Sequence, residues 1–164
     1  MFRKIDDLYV QKLALTFASL FVGLPLCVEA ASAAPTRAQF IRQGDALCMK
    51  VKSELVPLRR QAEAAKALPR AQMWSAVTRL WTSQIQIQRR FTLRFHALGL
   101  PAGDTRAHAI GSGLDLGLVL ATRVRNGFAS RSTSALATAL PAYLRHTVSL
   151  NNRVVAYGFR VCGR

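Results

Sequence analysis

The chain is short of acid. Against 23 Lys and Arg stand only 8 Asp and Glu, a formal charge of +15 over 164 residues. Residues 1–33 hold three of the acids (Asp6, Asp7, Glu29) and three of the bases (Arg3, Lys4, Lys12). That segment is therefore neutral, and the remainder carries the whole charge with five carboxylates: Asp45, Glu54, Glu63, Asp104 and Asp115. General acid–base catalysis needs two carboxylates converging in a cleft, and no spacing here pairs them. A metal site in a helical bundle draws Glu and Glu-x-x-His motifs from several helices, and this chain has too few acids to supply them. None of its three His (His96, His108, His146) falls three or four residues from another.

Cysteine is equally scarce. Three Cys are too few for a disulfide-dense scaffold. Neither C-x-x-C nor the haem-attaching C-x-x-C-H occurs, which removes the common thiol-redox and c-type haem motifs. No nucleophile elbow accompanies the one grouping suggestive of hydrolysis, Asp115 with Ser112 and His108. The segment Gly111-Ser112-Gly113-Leu114-Asp115-Leu116-Gly117 has glycine spacing, yet no strand pattern precedes it and no Lys-Ser/Thr follows. Its glycines are expected to let a helix approach its neighbour closely. A non-enzymatic protein without a cofactor is the expectation.

What is present begins with a leader. Arg3, Lys4 and Lys12 precede the uncharged run 13–26 (LALTFASLFVGLPL), and small residues ending Ala31-Ser32-Ala33 follow. A basic start, an apolar stretch and an A-x-A site describe a secretory signal peptide. Cleavage is expected after Ala33, with Ala30 as the second choice, giving a leader at 1–33 and a domain at 34–164. The run is shorter than the about 20 residues a bilayer span needs, so an N-terminal membrane anchor is the alternative. Leu26 before Cys27 disfavours lipid attachment, which wants a small residue there.

With 51% hydrophobic residues, the chain is no disordered basic tail, and its length suits one domain with a real core. Apolar residues after the leader recur at three- and four-residue steps, the helical period. Four stretches stand out. The first covers about 36–68, with Thr36 as N-cap and Pro57 expected to kink or split it. The second runs from Pro69 to Leu98, carrying Trp74, Trp81, Phe91 and Phe95 with Gln84 and Gln88 interrupting. Gly99-Leu100-Pro101-Ala102-Gly103 is a turn, and Asp104 or Thr105 caps the third helix. Asn126-Gly127 lies near that helix's end, as helix stops often do. The fourth starts near Thr133, is expected to bend at Pro141, and ends at Gly158. The architecture expected is all-α, an up-down four-helix bundle.

Loss of the leader removes Cys27 and leaves Cys48 and Cys162, an even number in an exported chain, which reads as one structural disulfide. Cys48 lies on the apolar stripe of helix 1. Cys162 lies just past helix 4, whose end should return beside the start of helix 1. A thiol pair for metal or redox work is the rival reading.

Phe40-Ile41-Arg42-Gln43-Gly44-Asp45-Ala46-Leu47-Cys48 resembles the opening of a group of exported, mostly uncharacterised helical proteins of high-GC bacteria. Tyr157-Gly158-Phe159-Arg160-Val161-Cys162-Gly163 resembles their closing tail, and Leu98-Gly99-Leu100-Pro101-Ala102-Gly103-Asp104 their mid-chain turn. Gly44 stands where that group usually has Ala. The resemblance implies an envelope-located helical bundle with a Cys–Cys tie, and it implies no activity.

The charge is mostly arginine, whose planar fork of donors suits phosphate and carboxylate. Lys50, Lys52, Arg59 and Arg60 form one candidate anion-binding patch, and Arg89, Arg90 and Arg94 another. Nucleic acid would be the natural partner inside a cell. For an exported protein the expectation moves to anionic lipid headgroups and wall polymers. The alternative is an envelope binding module for a protein or small apolar ligand. It would use the Trp and Phe residues of helix 2, with Gln84 and Gln88 as the polar groups of a cleft between helices 2 and 3.

Overall fold

The computed structural model describes residues 34–163; the expected leader and the question of Cys27 lie outside them. Four helices follow in order: α1 (Arg37–Lys66), α2 (Arg70–Ala97), α3 (Thr105–Ala129) and α4 (Thr133–Tyr157). Three begin on a side chain that accepts from the backbone N–H groups left open at a helix start. Thr36 forms a reciprocal capping box with Gln39. The Asp104 carboxylate accepts from Arg106 N and Ala107 N, both at 3.0 Å, and the Ser132 hydroxyl from Ala135 N at 3.2 Å. α4 stops at Gly158, whose φ of 116° is left-handed backbone that glycine adopts without strain.

The two internal prolines do not divide their helices. Pro57 lies within α1 and Pro141 within α4, and both are exposed. The carbonyl each leaves without an amide partner faces water, which accepts the role, so continuity costs less than in a buried helix. Gly127 stands two residues inside the end of α3 at Ala129, near the stop as its place in the sequence suggested. A Cβ there would stand 2.8 Å from Leu136 Cδ2, so Gly127 is where α4 crosses close to α3.

Consecutive helices are antiparallel. Gly127 meets Leu136, Gly117 meets His146 and Gly113 meets Leu150; each step back along α3 matches an equal step forward along α4. On the other side of α3, Phe128 meets Trp74, Gly117 meets Gln88 and Gly111 meets His96. The glycines of the Gly111–Gly117 stretch thus do what their spacing suggested, since each takes a neighbouring side chain against bare backbone. α2 reaches α4 diagonally, where Trp81 sets its ring edge against Tyr143 at 5.1 Å.

α1 and α4 behave differently from the neighbours expected. No Cα of one lies within 8 Å of the other. Side chains and the C-terminal tail join them at one end. Phe40 of α1 packs edge-on against Phe95 (5.1 Å), Tyr157 (6.0 Å) and Phe159 (5.8 Å), and all four rings are buried. Removing such a side chain from water is worth about 1.5–3 kcal/mol, and each ring pair adds about 0.5–1.5. This aromatic end holds the four largest fully buried side chains among the described residues. The tail closes over it, and Cys48 bonds to Cys162 with a Cα–Cα distance of 5.4 Å across 114 residues of chain.

Candidate functional site

Helical period places Lys50 and Glu54 one turn apart on α1, and Arg90 and Arg94 one turn apart on α2. The antiparallel crossing brings the two pairs together. Arg90 Nη2 donates to Glu54 Oε2 at 2.9 Å. The Arg90 hydrogen bond, with the charges of Arg90, Lys50 and Arg94, holds the Glu54 carboxyl below its ordinary range despite a small opposing desolvation. Three of the seven sequence candidates therefore form one cluster, with three cations around one carboxylate. Lys52, Arg59, Arg60 and Arg89 are exposed and, among the described residues, form no ion pair. Chemically the cluster keeps a net positive charge: one acid does not neutralise three bases, and two of the bases are guanidinium forks of the kind that suit phosphate and carboxylate.

The hydrolytic grouping does not assemble. Asp115 pairs with His96 of α2, Nε2 to Oδ1 at 3.1 Å, and both side chains are exposed. His108 and Ser112 make no side-chain hydrogen bond to it among the described residues. This His–Asp pair joins two helices, so no spacing along one helix could reveal it; the small residue Gly111, against which the His96 ring lies, was the available signal. His146 Nε2 donates to the Gly113 carbonyl at 2.8 Å. Among the described residues no cluster of three or more His, Cys, Asp or Glu is placed to hold a metal.

The cleft expected between α2 and α3 takes another form. Gln84 Nε2 donates to the Tyr143 hydroxyl at 3.0 Å, so it ties α2 to α4. Gln88 points its amide at Gly117, 2.9 Å from where a Cβ would stand. Both glutamines are packing groups. An open groove of about 450 Å³ lies instead between α3 and α4, walled by Leu120, Gly127, Ala135, Ala139 and Ala142 with Arg123 at its rim.

Two carboxylates that could have served chemistry are structural. Asp45 accepts three backbone N–H groups of the tail, from Arg160 and Val161 at 2.9 Å and Cys162 at 3.1 Å. Partial burial pushes its pKa up, but those three bonds and the Arg160 charge outweigh it, and the carboxyl lies below its ordinary range. Asp104 is lowered chiefly by the Tyr157 hydroxyl, which donates to it at 2.6 Å, and by the two capping N–H groups. Burial, with the Asp104 bond and charge, pushes Tyr157 up to about 12. Arg37 stacks on that Tyr157 ring, 4.5 Å from its centre.

Compared with known proteins, the chain matches no family model, no curated protein and no solved structure.

The geometry alone therefore carries the functional reading. Among the described residues no helix is long and apolar enough to cross a membrane. The disulfide is compatible with an extracytoplasmic location.

Proposed function

We propose that the protein is an exported, non-enzymatic helical-bundle protein that associates electrostatically with anionic surfaces of the cell envelope. The observation that carries this reading is the cluster of Lys50, Arg90 and Arg94 around the single carboxylate of Glu54, in a chain whose charge is +15. Two packed helices gather these cations on one face, where their charges add toward phosphate or carboxylate. The leader pattern at 1–33 supports export, and the Cys48–Cys162 bond fits an oxidising compartment.

The test is co-sedimentation of the purified protein with anionic vesicles and with wall fragments, at low and at high salt. Binding should be strong at about 10 mM ionic strength and collapse near 0.5 M, where screening shortens the reach of exposed charges to a few ångströms. Replacing Lys50, Arg90 and Arg94 together by Gln should weaken it. Indifference of the wild type to both surfaces at low salt would sink the reading.

The α3/α4 groove favours a second reading, a binding module for a small apolar ligand with an anionic end. Its lining is mostly apolar, with Leu120 and three alanines beside Asn126, Ser130 and Thr138, and Arg123 supplies its cation. Saturable binding of a fluorescent fatty acid, lost in Ala139→Phe, would support it; unsaturable uptake would dismiss it.

A further inference from the structure

We infer that α4 is the element that meets the envelope, and that what it meets is the surface of an anionic lipid bilayer; this rests on the anionic-surface reading above.

Three observations lead there. Leu144 is 53% exposed and Val148, one turn on, 60% exposed; Val155, two turns further, is 37% exposed. Helical period puts them in one line, and Ala137 and Pro141, also exposed, extend it toward the start of the helix. The outward side of α4 thus carries an apolar line, interrupted by the exposed Asn151 and flanked by Arg145, Ser149 and Asn152, with no acidic residue on it. Secondly, α1 does not cover this helix, since the two backbones come no closer than 8 Å. Thirdly, from Leu116 to Arg164 the chain carries seven Arg and neither Asp nor Glu. Arg145 borders the same shallow depression as Leu144 and Val148. Of the carboxylates on packed elements, Asp115 of α3 is turned to His96 of α2, and Asp104 and Asp45 are engaged at the far end of α4 by Tyr157 and the tail.

Charge decides between occupants. A second copy would bring another +15 to a helix that has no acid to offer it, so self-pairing is opposed by repulsion. A bilayer of anionic lipid is attracted by that same charge and accepts exposed Leu and Val at the boundary of headgroups and acyl chains. A wall polymer would use the charge but gains nothing from the apolar line. An exposed apolar pole with arginine beside it and no acid is the pattern of an interfacial helix.

The experiment measures partition of the purified protein, its N-terminus as processed by the cell, onto vesicles containing phosphatidylglycerol and onto wall fragments. Leu144→Ser with Val148→Ser changes two exposed side chains, and an unchanged thermal midpoint will certify the fold. Partition onto the vesicles should fall about tenfold, the loss expected for two partly inserted side chains, while binding to wall fragments should stay the same. Val148→Trp should tighten vesicle binding several-fold. Vesicle binding unchanged in both variants would overturn the assignment of α4 while leaving the anionic-surface reading intact. Failure of the wild type to bind either surface at low salt would instead remove that reading. A wild-type dimer in sedimentation equilibrium that the double Ser variant abolishes would reassign the pole to self-association.

Discussion

Asp45→Asn is a small change with a calculable consequence. In the folded chain, Oδ1 accepts from Val161 N and Cys162 N while Oδ2 accepts from Arg160 N. Asparagine keeps a single carbonyl oxygen, so two of the three bonds survive as neutral ones, and its amide faces the third donor. A bond to a charged acceptor is worth about 1.5–3 kcal/mol and a neutral one about 0.5–1.5. The gross loss is then about 3.5–6 kcal/mol. Arg160 is exposed and Asp45 only half-buried, so water recovers part of it, and a net loss of about 2 kcal/mol is expected, or about 6–12 °C in thermal midpoint. The pH dependence separates charge from shape. Asp45 titrates below its ordinary 3.8 when folded, so its contribution is fully present above the unfolded value and is lost as pH falls through the folded one. The gap between wild type and variant should therefore be widest near neutrality and shrink as pH falls below the ordinary 3.8. Asp104 titrates in both proteins and drops out of the difference. Urea unfolding followed by circular dichroism at several pH values reads both quantities. A gap under about 0.5 kcal/mol at neutral pH, or one that does not narrow in acid, would refute the reasoning.

Other outcomes follow from the same packing. Cys48→Ser with Cys162→Ser releases a closed loop spanning 114 positions. It should cost about 4–5 kcal/mol on the chain-entropy account, read by urea unfolding; a cost under about 1 kcal/mol would show that Asp45 and the aromatic end hold the tail by themselves. Gly117→Ala and Gly127→Ala should differ in sign. At Gly117 the new methyl meets the end of the flexible Gln88 side chain, whereas at Gly127 it meets Leu136 at both Cγ and Cδ2. Helix propensity returns about 1 kcal/mol in each case, so the first should be neutral or better in thermal unfolding. The second should lose about 1–2 kcal/mol to overpacking. Tyr157→Phe removes a 2.6 Å hydrogen bond to the Asp104 carboxylate and should cost about 1.5–3 kcal/mol by denaturant unfolding, with the α3 cap kept.

Much of the fold is legible in the chain because helix signals are local. The apolar period, the Thr36 and Asp104 caps and the left-handed Gly158 are each written within a few residues, and the helices begin and end close to where those signals stand. The glycines of α3 are legible as close-approach residues, though not their partners. Pro57 leaves α1 unsplit because a proline's effect on a helix depends on whether its freed carbonyl meets water, and exposure is a tertiary property. The candidate site was half legible. Seven basic residues stand in two clusters along the chain, but only the crossing of α1 on α2 selects Lys50, Arg90 and Arg94 and sets Glu54 among them. The His96–Asp115 pair spans two helices and leaves no trace in either.

Composition and local pattern by themselves settled the helical class, the charge and its near freedom from acid, and the pairing of Cys48 with Cys162 as the expected tie. Tertiary structure decided what those features do. It turned Asp45 and Asp104 into clasps, and sent Gln84 and Gln88 to packing. It also left α1 and α4 apart, so that the outward line of α4 stayed uncovered. The reason is physical: a helix follows from the free energy of neighbouring residues, whereas the face it leaves to solvent follows from which other helix arrives to cover it.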